Sequence, residues 1–161
     1  SKEELFYALT DPMVEQLTDI LDKIRNKMET LPKEKQLNGM GDIYYPNIPN
    51  IVDILISDRN AVKLIVDCAK GTKYEGFLDN IAMRNAESIR IAAENVEGKT
   101  VNSIEGQTME VLIDGYIRTL FRLILSNKKR ETIIQCMEMI GKIYEKGIIA
   151  LMEEDVEDEP R

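Results

Sequence analysis

The sequence predicts an all-α fold, and three observations predict it. Apolar residues recur at three- and four-residue steps in five or six segments, the period of helices with one buried face. No run of strand length alternates apolar with polar residues. Ser-x-x-Glu spacings and single glycines stand where the periodic segments begin and end, as helix caps do. The 161 residues suffice for one domain with a sizeable core that needs no disulfide or metal.

The first helix opens at the N-terminus, where Ser1 and Glu4 have capping-box spacing. Phe6, Leu9, Met13, Leu17, Ile20, Ile24 and Met28 form one stripe, so residues 1–29 read as one long helix. Asp11-Pro12 interrupts the pattern. Proline lacks a backbone donor and clashes with the carbonyl four residues back, which implies a kink or a restart capped by Asp11. From Leu31 to Pro49 the periodicity disappears among Pro32, Pro46, Pro49, Gly39 and Gly41, which predicts a long loop. Ile43, Tyr44 and Tyr45 are too apolar to stay in water, so that loop is expected to fold back on the domain.

Short helices are expected over 50–56 and 58–69, with Gly71 as a left-handed stop. Thr72 and Glu75 repeat the capping-box spacing and open a long helix with Leu78, Ile81, Ala82, Ile89, Ala93 and Val96 inward, closed by Gly98. These segments are expected to wall a cavity. The last two helices, about 103–125 and 129–154, are apolar around more of their circumference. In the final one Ile133, Met137, Ile140, Tyr144, Ile148 and Leu151 make one stripe, and Cys136, Met139, Ile143, Gly147 and Ala150 make a second beside it. One stripe serves the chain's own core, and the other needs a further partner. Gly115 and Gly147 each cost a helix about 1 kcal/mol, which a close crossing of backbones offsets, either between copies or within the chain. Leu112, Gly115, Thr119 and Leu123, with Cys136, Met139, Ile140, Ile143, Gly147 and Ala150, are therefore the candidate dimer contacts. The closing acidic run, 154–161, repels itself and is expected to remain an unfolded tail.

The composition removes several classes of function. A formal charge of −8 argues against direct nucleic-acid contact by this segment, because phosphates demand a basic surface. There is no histidine, hence no Ser-His or Cys-His nucleophile pair and no imidazole metal ligand. Paired carboxylates such as Asp19 and Asp22 fall on solvent-facing positions. Gly98-Lys99-Thr100 lacks the upstream glycine of a phosphate-binding loop, and no EF-hand or cysteine cluster is present. No enzymatic activity, cofactor or metal is therefore expected. Cys68 and Cys136 lie in apolar helical stretches and read as reduced, buried thiols. No run reaches the roughly 18 apolar residues of a membrane span and no signal segment opens the chain, which fits the cytoplasm.

What remains is sensing. Eight methionines and the aromatic side chains can line an adaptable apolar pocket, although core packing explains each of them equally well. The pocket candidates are Tyr44, Tyr45, Phe77, Asn80, Met83, Arg84, Met109, Tyr116 and Phe121. Asn80, Arg84 and Ser88 share one helix face. Turned inward, Arg84 would favour an anionic or carbonyl-bearing effector; turned outward, the row is a solvated face, which is the simpler reading. Glu110, Asp114, Arg118 and Arg122 read as a salt-bridged edge.

Ser1-Lys2-Glu3-Glu4-Leu5-Phe6-Tyr7-Ala8-Leu9 resembles the junction in tetracycline-repressor (TetR) family regulators, where a helix-turn-helix ends and the first helix of the regulatory domain begins. The resemblance extends in layout over nearly the whole chain, but only these nine residues are motif-like. It implies a TetR-like helical bundle: residues 1–153 form an effector-binding and dimerising domain, and 1–29 the helix joined to an N-terminal DNA-binding headpiece. It further implies a homodimer in which the last two helices form a four-helix bundle with their two-fold mates. Operator DNA would be bound through the headpiece, with Lys2 at a position that touches a phosphate, and released when a small effector binds. A helical protein-interaction module without a small-molecule ligand is the alternative.

Overall fold

The structure, a computed structural model, describes residues 1–98 and 100–153, and among them it is helical without strands. The predicted acidic tail lies outside the described residues. The first helix, α1 (Lys2–Glu29), has its capping box: Ser1 Oγ accepts the Glu4 N–H at 3.1 Å, and Glu4 accepts from the Ser1 amine at 2.5 Å. It runs through Pro12 without a restart. Asp11 therefore caps nothing. Its carboxylate accepts from the Tyr74 hydroxyl at 2.6 Å and from Lys73 Nζ at 3.0 Å, tying the front half of α1 to a turn distant in sequence. Lys73 Nζ also lies 4.6 Å from the centre of the Tyr7 ring, and the Tyr7 hydroxyl accepts the Lys73 N–H. Along the predicted stripe Met13, Leu17 and Ile24 are buried, whereas Leu9 is exposed, as is Leu5 beside it.

The expected loop over 31–49 is largely helical turns. A 3₁₀ turn at Lys33–Lys35 is followed by α2 (Met40–Tyr44) and a second 3₁₀ turn at Tyr45–Asn47, which runs directly into α3 (Ile48–Ser57). Pro46 and Pro49 lie in the first turns of their elements, where the missing N–H would have had no partner in any case. They mark starts, not breaks. The prediction that Ile43, Tyr44 and Tyr45 pack back on the body holds.

Asp58 separates α3 from α4 (Arg59–Cys68), and its side chain caps α4 by accepting the Ala61 N–H at 2.9 Å. The next helix, α5 (Phe77–Glu97), does not open at Thr72. Thr72 Oγ1 donates to the Ala69 carbonyl and accepts the Tyr74 N–H, while Glu75 accepts the Gly71 N–H, so both side chains brace the turn. Gly71 and Gly76 take φ of +79° and +74° there, a left-handed geometry that other residues adopt only under strain. A capping box not expected from the sequence starts α6 (Ser103–Leu125): Asn102 accepts from Glu105 N–H and Glu105 accepts from Asn102 N–H. The last helix is α7 (Arg130–Glu153).

The long helices α5, α6 and α7 pack in sequence, with α3 against α7 and α1, and α4 between α1 and α6. Their shared core includes Leu17, Val52, Leu55, Val62, Ile124, Ile133, Met137 and Met152. Arg59 Nε donates to the Ile124 carbonyl at 2.9 Å, satisfying the C-terminal end of α6 from the start of α4. Arg130 makes a two-pronged pair with Asp53, fixing α7 to α3. Both cysteines are free, and Cys68 is exposed on the outer side of its helix, contrary to the expected burial. Among the described residues no helix is long and apolar enough to cross a membrane.

The Tyr74 hydroxyl and the Lys73 ammonium hold the Asp11 carboxyl below its ordinary range. A carboxyl lowered on folding contributes stability above the unfolded value of about 4, and that contribution is lost as the pH falls through the folded value. In hydrogen exchange, protection of the front half of α1 should fall on acidification below about pH 4 in the wild type. In Asp11→Asn it should already be low at neutral pH and change little.

Candidate ligand-binding cavity

Six of the helices leave a cavity of about 130 Å³ between them. Leu17, Leu21 and Met28 of α1 form one wall, Ile81 and Ile89 of α5 another, and Ile113, Ile117, Leu120 and Phe121 of α6 the floor. The remaining side is polar: Tyr44 of α2, the adjacent Tyr45, Tyr116 of α6, and Tyr144 and Glu145 of α7. An apolar hollow of roughly this size, about 150 Å³, is enough to admit benzene. A few convergent polar groups in an apolar cavity are what orients a small ligand.

The tyrosines form a continuous row. Ring centres are 6.0 Å apart from Tyr45 to Tyr44, 5.9 Å from Tyr44 to Tyr116 and 5.4 Å from Tyr116 to Tyr144. The Tyr116 hydroxyl donates to that of Tyr44 at 2.7 Å, and the Tyr45 hydroxyl donates to Glu145 Oε2 at 2.5 Å. Burial pushes the Tyr44 phenol up to about 12 and raises Tyr116 too; burial and then the Glu145 carboxylate raise Tyr45. All three stay protonated at neutral pH.

Two glycines make this row possible. A Cβ on Gly141 would stand 2.9 Å from Tyr45 Cε1 and 3.4 Å from the Tyr116 hydroxyl, and one on Gly41 would stand 2.7 Å from Tyr45 Cε2. The Tyr45 ring thus lies between α2 and α7 where only hydrogen fits. Gly141 and Glu145 are one helical turn apart on α7, so the same face admits the ring and bonds its hydroxyl.

Of the predicted pocket residues, Tyr44, Tyr45, Tyr116 and Phe121 come together on the cavity. The others do not. Phe77 packs on Tyr74 at the start of α5, with ring centres 5.9 Å apart, and Met109 is buried in the core away from the cavity. Met83, Asn80 and Arg84 are exposed on the outer face of α5, and Arg84 pairs with Asp22 at 3.2 Å. Among the described residues no guanidinium lines the cavity to meet an anion. Gly41, Asn85, Gly141, Tyr144 and Glu145 were not among the predicted residues; the Gly-x-x-x-Glu spacing on an apolar helix was the signal for two of them.

The predicted dimer contacts divide as well. Met139 and Ile143 are 68% and 69% exposed, Gly147 and Ala150 are also open, and Cys136 is half-buried, so most of the second stripe of α7 is left uncovered. Ile104 and Val111 continue an apolar surface on α6 at 76% and 71% exposure, flanked by half-buried Leu112, Thr119 and Leu123. Ile140 packs against the core instead. Gly115 is also taken up internally: a Cβ there would stand 3.1 Å from the Tyr144 hydroxyl, so it accommodates α7 of the same chain. Gly147 has nothing within 4 Å.

No protein-family model, curated protein or solved structure matches this chain.

Gly141→Ala should destabilise the protein by about 1–3 kcal/mol, the usual range for overpacking a filled site. Gly106, which also lies in a helix but has open space around it, should tolerate alanine and gain up to about 1 kcal/mol. Urea unfolding of the two variants checks the contrast.

Proposed function

We propose that this chain is the effector-sensing and dimerising domain of a transcriptional regulator of the tetracycline-repressor type. The observation that carries the reading is that α1 both lines the cavity, through Leu17, Leu21 and Met28, and holds the nine-residue stretch resembling that family's junction. A ligand in the cavity therefore touches the helix that would bear a DNA-binding headpiece. In this reading the exposed Leu5 and Leu9 are covered by that headpiece, and the exposed Lys2 reaches a phosphate.

The mechanism is a shift between two positions of α1. A ligand moves such an equilibrium only by its difference in affinity for the two states. Here the difference arises because tilting α1 changes the wall the ligand packs against. In a two-fold dimer that tilt alters the separation of two headpieces, and with it their match to successive major grooves. Net charge fits the division of labour, since an acidic sensing domain leaves DNA contact to another part.

The exposed stripes of α6 and α7 supply the two-fold contact in this reading. They also favour the second reading, a helical module that binds a protein partner and senses nothing. A small molecule retained in the cavity on native mass spectrometry of the purified protein separates the two readings in favour of the sensor.

Dimerisation has a clean test in Gly147→Arg, because the position is open within one chain and the variant should fold normally. Light scattering should give a dimer for the wild type and a monomer for the variant, with unchanged helicity. A wild type that stays monomeric at high concentration removes the regulator reading.

A further inference from the structure

Among the described residues that line the cavity, only Glu145 carries a formal charge. We infer that the cavity takes a small lipophilic cation, an aryl or quaternary ammonium compound whose positive centre lies between Glu145 and the row of tyrosines. This rests on the reading of the cavity as a ligand site and names the class of its ligand.

Three features of the site point the same way. Among the described residues no Lys or Arg makes an ion pair with Glu145; Lys142 and Lys146, its neighbours on α7, are exposed and do not reach it. Glu145 Oε2 accepts from Tyr45, while Oε1 accepts no hydrogen bond from a described residue. A half-buried carboxylate held by one neutral phenol is under-compensated, and a ligand cation would balance it. An anion would meet that carboxylate with no basic group to offset it, because Arg84 is turned outward to Asp22.

The tyrosines supply the second attraction. A cation within about 6 Å of a ring centre is drawn to the negative face of the ring, and a quaternary ammonium is the form least penalised by leaving water. The phenols themselves stay neutral, since burial raises Tyr44 and Tyr116. The rest of the lining is Leu, Ile, Met, Phe and Gly with Asn85 and Ser88, which donate to the Ile81 and Arg84 carbonyls. That surface rewards an apolar body on the ligand, which a hydrated metal ion or a polyamine lacks.

Three probes of similar shape and different charge test this by calorimetry: phenyltrimethylammonium, its neutral isostere tert-butylbenzene, and benzenesulfonate. The cation should bind at least roughly tenfold tighter than the neutral probe, and the sulfonate weakest. Glu145→Gln, which can still accept from Tyr45, should erase the preference for the cation and leave the neutral probe unchanged. Unchanged binding of the neutral probe in that variant shows that the lost preference is not a loss of fold. Equal binding of cation and isostere, or tighter binding of the sulfonate, overturns the cation while leaving the cavity a ligand site. If none of the three binds, the ligand site falls with it.

Discussion

Tyr45 places its ring between Gly41 and Gly141, where a methyl group on either glycine would come within 2.9 Å of a ring carbon. That fit holds the short, proline-marked turns between α1 and α3 against the last helix, and it closes one side of the cavity. Other contacts hold the segment as well: Leu37 is buried in the core, Gln36 Oε1 accepts from Asn95 of α5, and Ile43 and Tyr44 pack on the body. Its helical turns are too short to be stable alone, since a helix of one or two turns does not recover the cost of its nucleus. An aromatic ring in a glycine-lined slot, bonded at its tip to Glu145, provides burial and direction together. The tyrosine row then follows, because Tyr44 is carried by the same backbone and meets Tyr116.

A second fixed point lies at the far end of α1. Asp11, Lys73, Tyr74 and Tyr7 bind the front half of the helix to the turn between α4 and α5, while its rear half, from Leu17 to Met28, faces the cavity. The exposed parts of this cluster contribute little individually, as surface ion pairs do. Their effect is geometric. In the proposed mechanism the helix turns about this held point when a ligand displaces the wall further along. Pro12, next to Asp11, removes one of the backbone bonds that would stiffen the helix there.

The helical class, the extent of α6 and the two stripes of α7 are legible in the sequence through local periodicity, and the stop of α5 at Gly98 through a local cap. Thr72 and Glu75 misled for an instructive reason. Their spacing is that of a capping box, but the same hydroxyl and carboxylate also satisfy a turn, and three residues of sequence do not say which backbone they will meet. Prolines over 32–49 signal breaks in a sequence, yet two of them, Pro46 and Pro49, occupy first turns. In the cavity, the aromatic residues were found and the glycines were not. An aromatic residue announces its own burial, whereas Gly141 matters only through a ring that arrives from nearly a hundred residues away. Arg84 and Met83 failed as pocket residues because α5 turns them outward, a rotation that its mixed composition leaves open.

Gly115 and Gly147 look equivalent in sequence and have different roles in the fold. Gly115 lets the Tyr144 hydroxyl approach α6, so its cost to the helix is offset inside one chain. Gly147 meets nothing, and it lies in a row with Met139, Ile143 and Ala150 that is likewise uncovered. A lone exposed methionine needs no explanation, but a contiguous apolar stripe with a glycine at its centre is costly as free surface. Its cost is recovered if a second helix crosses there, since a residue without Cβ lets two backbones come nearer than the usual 8–10 Å. Ile104 and Val111 add exposed apolar side chains on α6, and a stable interface buries about 800 Å² per partner. The two glycines thus distinguish the inner packing of the α6–α7 pair from the contact that pair would make with its own copy.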